Sequence, residues 1–270
     1  MHGHNLVIAA LPNGHYGTIT AATVAKDMLR TFPTIRVCLM VGIGGGVPTR
    51  HDIRLGDVVV SIPQGADGAV LQYDYGKTIQ GQKFQATSHL NTPPALLLSA
   101  ISGVRMTHME EGNNISQQIA SVLRNQPRWA HLKQPSSAND RLHYPHIVHA
   151  KSCRNGCGAA ANLKRRNPRT ELGDNPAIHY GLIASGNQLM KDAEIRDNLA
   201  RERDVLCFEM EAAGLMNQLP CLVIRGICDY SDSHKNDDWH GYAAMTAAAY
   251  AKGVLQMFRP GRLRQQAPLS

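Results

Sequence analysis

Five short apolar runs, rich in Val, Ile and Leu and bounded by polar turns, constrain this chain more than any other feature. They span residues 5–11, 37–43, 57–62, 180–184 and 221–228. Their hydrophobicity is nearly continuous rather than alternating, the pattern of strands covered on both faces. Segments with helical character lie between them. Residues 18–31 carry Ala22, Ala25, Met28 and Leu29 at helical spacing. Prolines open a helix over 93–101, and Asn114 with Gln117 resembles a capping box ahead of 115–123. Residues 191–203 are charged and amphipathic, and 210–218 and 242–258 are rich in Ala and Met. Strand and helix alternate, so the expected class is α/β: one domain with a twisted, mixed, largely parallel sheet flanked by helices.

The length of 270 residues fits this, because a single α/β domain can reach ~250 residues. That domain is expected over 5–258. Residues 131–178 break the alternation with prolines, serines, histidines, a Cys pair and a basic cluster, and have too few apolar residues for a core of their own. They read as a polar surface insertion. Residues 259–270 read as a basic, disordered tail. A hydrophobic content of 43% excludes wholesale disorder. No window approaches the ~18 apolar residues of a membrane span. Met1-His2-Gly3-His4 lacks the basic-then-apolar order of a signal peptide. Cys38, Cys207, Cys221 and Cys228 sit in apolar stretches and read as buried thiols, which suits a reducing cytoplasm.

The net charge is +7, from 28 Lys and Arg against 21 Asp and Glu. Its clusters, Lys164, Arg165, Arg166 and Arg169, then Arg259, Arg262 and Arg264, read as solvated surface rather than a nucleic-acid face. Aromatics at 5% are too few and too scattered for base stacking.

Four motifs carry possible chemistry. Val41-Gly42-Ile43-Gly44-Gly45-Gly46-Val47-Pro48 runs a strand into glycines, where a ligand can approach the backbone. It lacks the Lys-Ser or Lys-Thr of a phosphate loop and the helix start of a dinucleotide fingerprint. Phe208-Glu209-Met210-Glu211-Ala212-Ala213-Gly214 places carboxylates at a helix entrance, where one can accept hydrogen bonds from a vicinal diol or simply favour the helix N-terminus. Cys221–Asp229 is a buried run ending in an acid, where active sites of α/β folds lie; the alternative is a turn-capping Asp beside Ser231 and Asp232. His143, His146, His149, Cys153 and Cys157 are zinc-ligand types, but their spacing matches no standard pattern.

Taken together and in this order, the stretches 41–48 with 52–61, 70–77 (VLQYDYGK), 179–188 (HYGLIASGNQ) and 208–234 resemble the nucleoside phosphorylase superfamily, most closely its fungal branch. That family includes purine nucleoside and uridine phosphorylases and methylthioadenosine/S-adenosylhomocysteine nucleosidases. The resemblance runs from about residue 5 to residue 258. It implies cleavage of the N-glycosidic bond of a purine nucleoside by a homo-oligomer, without metal or organic cofactor. Gly42, Ile43, Gly44 and Gly45 fall at the turn beside the ribose and nucleophile. Leu189 and Met190 fall where the base packs. Met210 and Glu211 match the ribose pair, with Glu209 beside them. Asp229 matches the acid that meets purine N7, and Cys228 replaces a frequent serine before it.

Three departures qualify that expectation. Family members open with a further strand, which carries a water-activating glutamate in nucleosidases and phosphate contacts in phosphorylases. The sequence given holds no counterpart, so a sheet lacking the family's first strand is expected. Met40 and Ile43 stand where phosphorylases have an arginine and a serine for phosphate. Leu189 replaces a stacking aromatic. A phosphate dianion needs cationic partners. Met40 and Ile43 offer none, so water is favoured over phosphate as nucleophile; Arg54 and Arg225 are the cations that could supply a phosphate partner, but the sequence places neither in the site. The alternative reading is a nucleoside-binding module without catalysis.

Overall fold

The computed structural model describes residues 4–65, 67–82, 84–149, 157, 159–170, 175–258, 261, 263 and 266–269. Its elements are α1 (Thr18–Thr31), β1 (Leu39–Gly46), β2 (Val58–Ser61), β3 (Val70–Gln72), β4 (Gly76–Lys77), β5 (Gln85–Ala86), α2 (Ala95–Glu111), α3 (Ile115–Asn125), β6 (Ile178–Ser185), α4 (Ala193–Arg203), β7 (Val205–Glu209), α5 (Ala212–Leu215), β8 (Leu222–Asp229) and α6 (His240–Gln256). The main sheet has the order β2-β8-β1-β7-β6-β3, and β2 also pairs with β6. Strands β2, β8, β1, β7 and β6 therefore close into a ring, with β3 attached to β6. The pairs β1–β8, β2–β6, β3–β6 and β6–β7 are parallel, and β1–β7 and β2–β8 are antiparallel. This is the mixed, largely parallel α/β sheet expected. No helix among the described residues is long and apolar enough to cross a membrane.

Continuous apolar runs became strands buried along their length: every residue of β2, β7 and β8 is buried. Closure of the ring removes most free edges. Helix α6 crosses β8 and β1 so closely that a Cβ on Gly226 would stand 1.8 Å from the Ala243 carbonyl oxygen. Gly214 in α5 meets Thr18 of α1 in the same way, at 2.0 Å. Such approaches seat the helices against the ends of the strands that carry the candidate site. Cys38, Cys207, Cys221 and Cys228 are free and buried.

The structure corrects four expectations. Residues 5–11 form no strand: Leu6, Val7 and Ile8 are exposed, and no ladder pairs with them among the described residues. An apolar run without a ladder partner leaves its N–H and C=O groups to solvent. The capping box at Asn114 does not form. Asn113 Oδ1 accepts the Ile115 N–H at 3.2 Å, while Asn114 Oδ1 accepts from Gln118 Nε2. The helix expected over 210–218 shrinks to α5: residues 210–211 are bends after β7, and 216–218 are turns. Strands β3, β4, β5 and β7 are additions.

Within 131–178, the described residues make short turns and a bridge between His143 and Leu163. An Arg166–Asp140 ion pair (2.8 Å) ties the segment to Tyr230, whose hydroxyl accepts from Arg166 Nη1 at 2.7 Å. Arg259, Arg262 and Arg264 lie outside the described residues.

Candidate active site

The three motifs converge through strand register. Gly45 of β1 stands opposite Asp229 of β8 and opposite Phe208 of β7, and Ser185 of β6 stands opposite Glu209. The β1–β8 register shifts between Gly44 and Gly45, so the backbone bulges where the acid emerges. A Cβ on Gly45 would lie 2.1 Å from Ser231 Oγ and 2.6 Å from Asp229 Oδ1. Glycine there lets both side chains close over the strand.

Asp229 is 5% exposed. Its Oδ1 accepts the Ser231 N–H at 2.8 Å, and its Oδ2 accepts Lys235 Nζ at 2.5 Å. Ser231 adopts φ 52°, a left-handed turn that brings the chain back so that Lys235 can reach the acid. Burial opposes the Lys235 charge, but the Asp229 carboxylate outweighs it and holds the ammonium pKa above its ordinary value. The Cys228 thiol is 3.2 Å from Asp229 Oδ2 and 3.5 Å from the Gly44 carbonyl oxygen. Burial and the neighbouring carboxylate push its pKa up, so it stays a thiol.

Glu209 and Glu211 have separate surroundings. The Glu209 carboxylate takes the guanidinium of Arg225 and the N–H groups of Glu211 (3.2 Å) and Ala212 (3.0 Å). Its bonding capacity is spent inside the protein. Glu211 lies 3.3 Å from Arg225 Nη2 and keeps 17% of its side chain exposed. Burial raises its pKa, Arg225 opposes this, Glu209 adds to it, and the balance is upward. Arg225 sits against Gly42, whose Cβ would fall 2.0 Å from Nη1. Gly42 thus makes room for an internal cation.

Of the other expected residues, Ile43 packs on the main core and Met190 joins a smaller cluster with Phe208, Val47 and Leu71. Met210 is half-buried, and Leu189 is 49% exposed. Tyr73 lies edge-on to Phe208, with ring centroids 5.3 Å apart, and its hydroxyl donates to the Gln188 carbonyl. Burial first, then Asp74 and Glu209, push the Tyr73 pKa up to about 12. Asn187 Oδ1 accepts the Thr18 N–H at 3.1 Å, joining the 185–188 loop to the start of α1. Arg225 is engaged by two carboxylates, and Arg54 by Asp52 and the Asn167 carbonyl. Sequence reasoning missed Lys235 and the role of Arg225. A single arginine inside an otherwise apolar strand was the available signal, since a buried cation needs a carboxylate partner.

A profile described as the phosphorylase superfamily matches residues 2–256. The chain belongs to the phosphorylase superfamily. Two curated relatives extend the comparison. A nucleotide-binding leucine-rich repeat (NLR)-like protein of Hyaloscypha variabilis is 43% identical over 97% of this chain and 26% of its own length. The ATP nucleosidase Cap17 of Escherichia coli is 26% identical over 89% of this chain and 39% of its own length. The chain thus spans well under half of either relative. Among solved superfamily folds, the 5'-methylthioadenosine/S-adenosylhomocysteine nucleosidase of Neisseria meningitidis in complex with methylthio-immucillin-A superposes with a TM-score of 0.54 at 17% identity, covering 90% of this chain and 78% of that one. The futalosine hydrolase of Helicobacter pylori gives 0.53 at 17%, covering 90% and 77%. At these identities the likeness is one of fold.

Proposed function

We propose that this chain cleaves the N-glycosidic bond of a purine nucleoside or nucleotide with water. One observation carries the reading: Gly45 is flanked in register by Asp229 on one strand and by the segment leading to Glu211 on the other. That pairing supplies the two charges the reaction needs. Departure of the base from C1′ leaves the bonding electron pair on the base and positive charge on the sugar. Glu211, the more exposed carboxylate, binds the sugar hydroxyls and faces the growing positive charge. Glu209 positions Arg225, which holds Glu211 in place. Asp229 and Lys235 meet the leaving base and pass it a proton. Water adds at C1′, and its released proton replaces the one given to the base. The sum is one water consumed, one free base and one free sugar formed, with no organic cofactor. Gly42 and Gly45 make room for the Arg225, Asp229 and Ser231 side chains around the site, Met210 packs on the sugar, and Leu189 and Met190 border the base.

Water is favoured over phosphate because Arg54 and Arg225 already hold internal carboxylates or carbonyls. The relation to an ATP nucleosidase adds nucleotides to the substrate class. A homo-oligomer, with a neighbouring copy completing the site, belongs to the same proposal, as does a cytoplasmic location. The test is chromatographic release of free base from adenosine, inosine, guanosine, methylthioadenosine and ATP, with and without phosphate. Release without phosphate is expected. Release that depends on phosphate would replace hydrolysis by phosphorolysis.

A second reading is a nucleoside sensor that binds without cleaving. The NLR-like relative, of which this chain matches only 26%, favours it. It predicts purine binding by calorimetry with no base release.

A further inference from the structure

A group of side chains outside the proposed catalytic residues has the composition and spacing of a metal centre. His149, Cys157 and His234 bring one ligand atom each to within 4.8 Å of one another. His143, Asp232 and His234 form a second such group, sharing His234. The sequence spacing in the insertion matched no zinc pattern because one ligand comes from elsewhere: His234 lies in the loop after β8. Cys153 lies outside the described residues, and His146 stacks instead on Tyr144.

Two further observations point to an ion. Cys157 Sγ and His149 Nδ1 are 3.6 Å apart. Zinc bonds of ~2.3 Å to sulfur and ~2.1 Å to nitrogen, at the tetrahedral angle, put the two donor atoms ~3.6 Å apart. The His234 side chain is only 7% exposed, and neither of its ring nitrogens has a hydrogen-bond partner among the described residues. A buried imidazole with both nitrogens unsatisfied is costly unless a ligand takes one of them. Asp232 Oδ1 lies 3.7 Å from His234 Nδ1, outside hydrogen-bond range, and adds a negative charge beside the group. Imidazole with thiolate favours zinc over the oxygen-seeking magnesium and calcium.

We propose that His149, Cys157 and His234 bind a zinc-class divalent cation, with His143 and Asp232 beside it. The ion joins the insertion to the loop that carries Lys235. The His149 N–H to Ser233 Oγ bond (2.9 Å) and the stacked His143 and His234 rings (3.6 Å) bring the same two segments together. Since Lys235 follows His234 and holds Asp229, the centre braces the catalytic loop without touching substrate. The proposal is independent of which bond the enzyme cleaves.

The test uses the untagged full chain. Elemental analysis should find about one zinc per chain, and a chelator should lower the melting temperature in a way that zinc, but not magnesium, reverses. The cobalt-loaded chain should show a thiolate-to-cobalt charge-transfer band that Cys157→Ser abolishes, and His234→Ala should lower the zinc content. A chain that carries no zinc and whose melting is unmoved by added zinc overturns the proposal. So does a charge-transfer band undiminished in Cys157→Ser.

Discussion

Lys235 Nζ sits 2.5 Å from Asp229 Oδ2, six positions later along the chain and brought back by the left-handed turn at Ser231. The acid expected to meet the leaving base is therefore one half of a largely buried ion pair. That changes what a substitution at either position does. Asp229→Asn keeps the size of the side chain but removes the charge that fixes Lys235. Its turnover should fall by about 10²–10⁴-fold, the usual range for loss of an acid–base group. Lys235→Met should also lower kcat while leaving KM nearly unchanged. Base release by chromatography, with melting curves as a folding control, checks both. Near-native turnover in Asp229→Asn would remove it from the site.

Gly42 and Gly253 separate two uses of glycine. A Cβ at Gly42 collides with the Arg225 guanidinium at 2.0 Å, whereas one at Gly253 meets nothing within 4 Å. Gly42→Ala should destabilise the chain by about 1–3 kcal/mol through overpacking. It should also raise KM, because Arg225 is pushed from Glu211. Gly253→Ala, within α6, should be stabilising by about 0.4–1 kcal/mol. Thermal or urea melts of the two variants decide this. Equal effects would mean that Arg225 has room to move aside.

Asp57 is the buried hub beneath the insertion. Its carboxylate takes Arg169 Nη1 at 2.7 Å, His179 Nε2 at 2.9 Å and the Ala177 N–H at 3.0 Å. Burial pushes its pKa up, but Arg169 and His179 outweigh that and hold it below the ordinary value. A depressed carboxylate stabilises the fold above its unfolded pKa of about 3.9, and loses that contribution as pH falls through the folded value. Melting temperature should therefore drop as pH falls below about 4. Asp57→Ala should cost about 3–5 kcal/mol at neutral pH, because it removes the main partner of the partly buried Arg169 and leaves it only the Asp52 carboxylate at 3.9 Å and the Asp52 carbonyl. The acid-induced drop should be shallower in that variant. Parallel slopes would assign acid sensitivity to other carboxylates.

The same physical causes decide how much was legible beforehand. Residues 57–62 and 221–228 were readable as strands because burial on both faces demands continuous apolar sequence, as in β2 and β8. β3 has three residues, and the apolar run of β7 leads straight into Glu209 and Glu211, which read as the entrance of a helix rather than the end of a strand. Residues 5–11 carry the same apolar signature, yet burial patterns report hydrophobicity and not whether a ladder partner exists. Asp229 and Glu211 were placed by resemblance, and register sets β8, which ends in Asp229, and β7, which leads to Glu211, beside Gly45. Lys235 was invisible because its reach depends on one turn at Ser231. His234 was invisible as a candidate ligand because its neighbours His149 and Cys157 arrive from an insertion about eighty residues earlier in the chain, a separation that no local spacing rule encodes.

Glu211 should set the acid limb of the reaction. Burial, opposed by Arg225 and reinforced by Glu209, raises its pKa above the ordinary glutamate value. Sugar binding through a carboxylate needs the ionised form, so kcat/KM should fall as pH drops through a value above about 4.3, where an unperturbed glutamate titrates. Because kcat/KM reports the free enzyme, that limb belongs to Glu211 before substrate arrives. Glu211→Gln should raise KM, lower kcat/KM on the neutral plateau and abolish the limb. Glu209→Gln acts differently: it frees Arg225, so it should lower stability as well as activity. A pH profile of base release for both variants separates the two glutamates. An acid limb that survives in Glu211→Gln would assign the titration to another group.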